Sequence, residues 1–437
     1  MSKNLGMYVR SGAPSKKKFD MTSPPTGQNK FIMPIAWGYC NLRRLLHLEK
    51  IEKVRMEGLK PPYILLCNHN AFYDFYVMES AIAPATGVFP AAVDDFIGRE
   101  PILRALGGVP KRKYTADISL LRTAKTALKN NEIFGIYAEA RYSLCGLTEV
   151  IPESVGQLIK MHKVPVVVFN CKGHHIYDPF WGNHRHRRIF HMEAKLEQVL
   201  TPDEIRSHSA EEIQDIVEKA LYNDDFRWQS EKRIKVTYKK RAEGLHKVLY
   251  QCPHCMTEYK MNSKGDTVYC EHCGKSWRLN EYGELEGSDG KTEFKFPTDW
   301  YKWEREQVKK EVENETYRFE CDCHVNDLPN SMGFVRLGNG KFVHDMNGFH
   351  LHGTRDYDQK PFDMEIDAAG QYAVHVEYDY RFGQHKDAID LNTLEDTWYV
   401  FPDNCEFSLT KVSLATEEIY KHIWAKRNAE KAKKEEK

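Results

Sequence analysis

Residues 62–75 read PYILLCNHNAFYDF, and the fold turns on how this stretch is read. Tyr63 to Cys67 is apolar throughout, as a strand buried on both faces would be. The chain then stops at Asn68-His69, and an aspartate, Asp74, follows five residues after the histidine. Phe72 to Ile82 reads as a helix. His69 therefore falls at a strand end, with Asp74 in the first turn of the helix beyond it. A histidine so placed acts as a general base when a carboxylate fixes its tautomer and stabilises the imidazolium. Such a pair, with no protein nucleophile beside it, suits removal of a proton from a substrate hydroxyl. A histidine that caps the helix, or one hydrogen-bonded in a core, fits these residues too. Alone, the pair decides nothing.

The flanking sequence repeats the pattern. GVFPAAV, IFGIYAE and VPVVVFN read as apolar strands, and PILRALGG, ADISLLRTAKTALKN and SVGQLIKMHK as helices between them. Strands alternating with helices predict an α/β domain, its sheet mostly parallel and flanked by helices. Chemistry in such sheets gathers where strands end. His69, Arg112 and Glu139 lie at or just after such ends.

Four blocks in this order resemble those of the glycerolipid acyltransferase family, the 1-acylglycerol-3-phosphate and lysophospholipid acyltransferases. NHNAFYD resembles its His-x4-Asp block, and LGGVPKRK (Leu106–Lys113) its glycine-led second block. IYAEARYS (Ile136–Ser143) resembles the third, usually Phe-Pro-Glu-Gly-Thr-Arg-Ser. Glu139 and Ser143 match, Ala138 and Ala140 replace proline and glycine, and the arginine stands one place early, at Arg141. VPVVVF (Val164–Phe169) resembles the fourth. The resemblance covers roughly the first half of the chain. It implies that His69 and Asp74 are catalytic, with an acyl chain passing from acyl-CoA or acyl carrier protein to a lysophospholipid hydroxyl, 1-acylglycerol 3-phosphate ranking first. It further implies that Lys111, Arg112 and Arg141 grip the acceptor phosphate, and that Glu139 binds acceptor hydroxyls or steadies an arginine. A non-catalytic lipid- or protein-binding adaptor on the same fold is the alternative reading.

The 437 residues suggest roughly three domains. The 63 basic and 63 acidic side chains cancel, so net charge selects no partner and no nucleic acid is expected. Residues 1–30 are basic and rich in Gly, Ser and Pro, predicting a flexible arm. In FIMPIAWGYCNLRRLLHLEK, Phe31, Ile35, Leu42 and Leu46 fall near one helical face. That face either lies in a lipid interface or packs on the core, the second weighing slightly more. No apolar run reaches a membrane-spanning length and no signal-peptide core opens the chain, so the expected location is cytoplasmic and peripheral on the membrane. The basic tract GNHRHRRIFH (Gly182–His191) reads equally as an exposed loop or a site for anionic groups. Oligomeric state is not readable.

Eleven cysteines without a signal peptide point to metal rather than disulfides. Cys252, Cys255, Cys270 and Cys273 form two Cys-x2-Cys knuckles, the pattern of a zinc ribbon with a structural zinc. The expected organisation is a basic arm (1–30), an acyltransferase domain (31–245), a zinc ribbon (246–290), a β-rich domain of unknown role (291–420) and a charged tail (421–437).

Overall fold

The computed structural model describes residues 9–17, 19–115, 118–182, 191–329, 333–380 and 386–435. The first half builds a seven-stranded sheet from β1 (Lys50–Val54), β2 (Tyr63–Cys67), β3 (Gly87–Ala92), β4 (Gly108–Lys111), β5 (Ile133–Tyr137), β6 (Val166–Lys172) and β7 (Glu193–Leu200), in the order β1-β7-β6-β2-β5-β3-β4. Every neighbouring pair is parallel except β6 and β7. The expected mostly parallel sheet is therefore present, as a mixed sheet with one antiparallel step. Helices α1 (Met33–Leu45), α2 (Tyr73–Ile82), α3 (Glu100–Ala105), α4 (Ser119–Lys129), α5 (Ser154–His162), α6 (His174–Tyr177), α7 (Pro202–Ser207), α8 (Ala210–Leu221) and α9 (Asp225–Glu231) surround it.

The apolar run of β2 is explained by its central place. Ile64 and Leu66 point into a core shared with Ala124, Val155, Ile159 and Ile213 of α4, α5 and α8. Tyr63, Leu65 and Cys67 point the other way. That second core does not end with the domain, but continues into Cys252, Trp277, Trp300, Phe342 and Val400 of the second half. The Gly-Gly turn before β4 has a steric cause. Gly107 sits at φ +81°, and a Cβ there would meet the Gly87 carbonyl oxygen at 2.4 Å.

Strands β8 (Met261–Lys264), β9 (Thr267–Cys270), β10 (Ser276–Leu279) and β11 (Leu285–Gly287) form a small antiparallel sheet carrying the cysteine knuckles. Helix α10 (Pro297–Glu313) follows, inside the segment read from sequence as β-rich. A third, antiparallel sheet contains β12 (Arg318–Asp327), β13 (Val335–Asp345), β14 (Gly348–Arg355), β15 (Pro361–Asp367), β16 (His375–Tyr380), β17 (Lys386–Asn392) and β18 (Thr397–Asp403). The charged tail belongs to α11 (Leu409–Glu435), which begins well before it, inside the segment read as β-rich.

Two expectations need correction. The described part of the basic arm is packed, not free. Arg10 exchanges backbone hydrogen bonds with Phe334 and Arg336, Phe19 meets Phe96 edge-on, and Gln28 donates to Glu79 at 2.6 Å. The apolar face of α1, weighted toward the core, instead faces outward. Phe31 is 90% exposed and Ile35 77%, with Leu42 and Leu46 also exposed. The helix is held by its other side, through Met33, Cys40 and a hydrogen bond from Trp37 to Glu79. Among the described residues, no helix is long and apolar enough to cross a membrane.

Candidate active site

His69 leaves the sheet between the ends of β5 and β6, because β2 pairs with both. Side chains on either side of it pin the turn. Asn68 donates to the Cys171 carbonyl at 2.9 Å and accepts from the Cys171 amide at 2.9 Å. Asn70 donates to the same carbonyl at 3.0 Å. The His69 amide donates to Glu139 Oε1 at 3.1 Å, and its carbonyl accepts from the Ser143 amide at 2.7 Å.

Asp74 is fully buried. Its Oδ2 lies 3.2 Å from His69 Nδ1 and accepts from the backbone amides of Asn70 (2.6 Å) and Ala71 (3.0 Å). Burial alone would raise its pKa, but hydrogen bonds from His174 and His69 bring it down to about 2. An ionised carboxylate only accepts, so His69 Nδ1 carries the proton and neutral His69 keeps Nε2 as a base. The ring is sandwiched between Tyr137, stacked at 3.9 Å, and Tyr142 at 4.1 Å. It keeps 18% exposure. Tyr142 also lines an adjoining cleft of about 150 Å³ with Phe72, Asp178 and Phe180. No lysine or arginine lines that cleft among the described residues.

The other expected site residues stand elsewhere. Lys111 donates to the carbonyl and hydroxyl of Thr115, 3.2 Å each. Arg112, just after β4, is 3% exposed and donates to Thr397 Oγ1 (2.6 Å) and the Glu395 carbonyl, both from the third sheet. Arg141 is enclosed by Glu149 (2.8 Å), Glu417 (2.5 Å), the Val374 carbonyl and Ser413. Arg112 is desolvated against partners from the second half of the chain and Arg141 against Glu149 and the second half, and neither lines the cleft. Glu139 is buried beside the His69 turn. Its oxygens accept from the amides of His69 and Glu149 (2.8 Å), so it braces the His69 turn. Burial pushes its pKa up to about 8.

Sequence reading missed three groups of consequence. His174 and Glu49 are buried on the far side of Asp74, and Tyr137 and Tyr142 enclose the His69 ring. The signal for His174 was present, since the His-His pair in CKGHH follows β6 as His69 follows β2. The tract 183–190 lies outside the described residues.

The four ribbon cysteines come together with their sulfurs within 4.8 Å of one another, Cys252 to Cys273 and Cys255 to Cys270 each at 3.8 Å. Four converging thiols outside any disulfide fit one tetrahedrally bound metal ion.

No known family's sequence pattern matches the chain, and no curated protein does. One solved structure that is similar to it is the 1-acyl-sn-glycerophosphate acyltransferase PlsC from Thermotoga maritima. The two are 18% identical, with a TM-score of 0.34, over 44% of this chain and 78% of that one.

Proposed function

We propose that the chain is an O-acyltransferase in which His69 is the general base and the acceptor is a lysolipid hydroxyl. The observation that carries this reading is the ionised Asp74 on His69 Nδ1, which leaves Nε2 as the base on a ring 18% exposed at the end of the central strand. Nε2 takes the hydroxyl proton as the oxygen attacks an acyl thioester. The new C–O bond forms, the C–S bond breaks, and the proton passes to the departing thiolate. The donor is acyl-CoA or acyl carrier protein. No step uses the ribbon metal, which we read as a structural zinc.

The acceptor is drawn from a membrane surface. The exposed apolar side chains of α1 continue through Tyr39 and Tyr76, in edge contact at 5.8 Å, to Phe72 at the cleft. Arg43 lies over the Tyr76 ring. An apolar strip with a basic flank suits the boundary between acyl chains and head groups. 1-Acylglycerol 3-phosphate is the first acceptor to try, without the arginine grip expected of it.

The sealed arginines favour the second reading, a lipid-binding adaptor without chemistry. A panel of lysolipids with both donors decides between them. Turnover in the wild type that falls at least ~10²-fold in His69→Ala supports the enzyme. Vesicle binding with no turnover on any acceptor supports the adaptor.

A further inference from the structure

Asp74 carries a second imidazole. His174 begins α6, directly beyond β6, with Nδ1 2.6 Å from Asp74 Oδ1 and Nε2 2.7 Å from Glu49 Oε1. All three side chains are fully enclosed. A neutral imidazole has one N–H and would set a bare nitrogen lone pair against the other carboxylate. With a proton on each nitrogen, both contacts become charge-assisted hydrogen bonds. Burial opposes that charge, while the Glu49 carboxylate and the hydrogen bond to Asp74 raise the ring's pKa.

We propose that His174 is a positioning residue, an imidazolium that fixes the Asp74 carboxylate on His69 and offsets part of its charge, so setting the pH at which His69 becomes a free base. The kinetic half of this inference rests on the acyltransferase reading; the titration half does not. Asp74 has one oxygen for each ring. Oδ2 meets His69 and two helix-start amides, and Oδ1 meets His174. Without His174, Oδ1 would be a buried carboxylate oxygen with no donor, free to rotate toward His69. The full negative charge would then face the His69 ring and hold its proton more tightly.

The other groups near the relay are few. Cys67 and Cys171 are buried thiols whose pKa burial raises, Cys171 to about 12, so both stay neutral. Tyr73 packs edge-on to His174 at 4.9 Å, and Tyr137 and Tyr142 flank His69. Glu139 holds the His69 amide. Asp225 of α9 accepts from the amides of Gly173 and His175, and burial pushes it up to about 6. Asp225 would therefore titrate within the same experiment, and the measurement has to resolve one residue.

That measurement is NMR titration of full-length protein labelled at histidine, the His69 signal being assigned by its loss in His69→Gln. In His174→Gln the His69 midpoint should rise by about one pH unit, as expected when a neighbouring cation is lost. The acid limb of kcat/KM should rise with it. Glu49→Gln takes away the anion on Nε2 while leaving the Nδ1–H bond to Asp74. Burial then returns His174 to the neutral form, and the His69 midpoint should again rise. This variant answers the question if His174→Gln does not fold. An unmoved His69 midpoint in a folded variant overturns the proposal. If midpoints move but the wild type transfers no acyl group, the relay stands and the acyltransferase reading fails. If the wild type turns over while the midpoints stay put, the acyltransferase reading stands and the relay fails.

Discussion

His69 and the pair Arg112 and Arg141 occupy equivalent places in the first sheet, just past the ends of strands, yet they have opposite fates. His69 sits beyond β2 with part of its ring in solvent and its proton placed by Asp74. Arg112 and Arg141 sit beyond β4 and β5, each 3% exposed, paired with Thr397, Glu395, Glu149 and Glu417. Lys113 shares their fate, 3.2 Å from Asp390 and 3.6 Å from Glu377. What separates the two regions is the third sheet and α11, which supply the arginines' partners but no residue of the lining of the cleft beside His69. A strand end is where chemistry can happen, but a second body of the same chain can close it.

The ribbon lies in the path of that closure, and its loss should have the largest effect. Lys247, just before the knuckles, pairs with Asp387 at 2.8 Å, and Lys411 of α11 pairs with Glu258 between them. Metal binding supplies on the order of 10 kcal/mol to the folding of small zinc modules. Purified protein should contain one zinc per chain. Chelation or Cys252→Ser should open protease sites between about residues 245 and 290, an exposed stretch once the knuckles are lost. If the seam depends on the ribbon, cleavage should spread to the β16–β18 hairpins while β2 and the His69 turn stay protected. Intact protection everywhere after the metal is removed would mean that the sheets close without it.

Arg141→Ala should come next. It leaves Glu149 and Glu417 buried without their cation, and breaking a buried pair from one side costs about 3–5 kcal/mol. Arg305, also on Glu417 at 2.6 Å, tempers the loss toward the lower figure. His69→Ala should show the reverse, an unchanged denaturation midpoint with acyl transfer lowered at least ~10²-fold, equivalent to about 2.7 kcal/mol of barrier. Similar stability losses in the two variants would erase the distinction between an open and a sealed strand end.

How much of this was legible follows from the range of the forces involved. The β2 strand, its helix and the dyad were readable because apolar period and a five-residue spacing are local. The cysteine knuckles were readable because a metal demands its ligands at fixed spacing. The burial of Arg112 and Arg141 was not, since Thr397 lies 285 residues from Arg112 and Glu417 lies 276 from Arg141, and no local pattern encodes those contacts. α10 was lost among aromatic segments, although Trp300, Glu304, Val308 and Val312 line one helical face. The outward face of α1 was misjudged because an apolar stripe looks the same whether it meets a core or a lipid. Its direction is set by Met33, Cys40 and Trp37 on the side that does pack.

Arg112→Ala should give the smallest effect and the sharpest reading of the seam. Two hydrogen bonds to the third sheet are lost. Thr397 Oγ1 still donates to Asn392 at 2.7 Å, so only the Glu395 carbonyl loses a partner outright. A loss of about 1–3 kcal/mol in stability is expected, the range for a buried group left unpaired by a charged donor. Kinetically, the residue faces away from the cleft. The ratio of apparent KM for a phosphate-bearing acceptor to that for a matched acceptor without phosphate should therefore stay at its wild-type value. A selective rise in KM for the phosphate-bearing acceptor would show that Arg112 reaches substrate, which requires the β17–β18 turn to lift from it. The difference between the two strand ends would then be one of conformation, with the third sheet acting as a movable cover over the acceptor site.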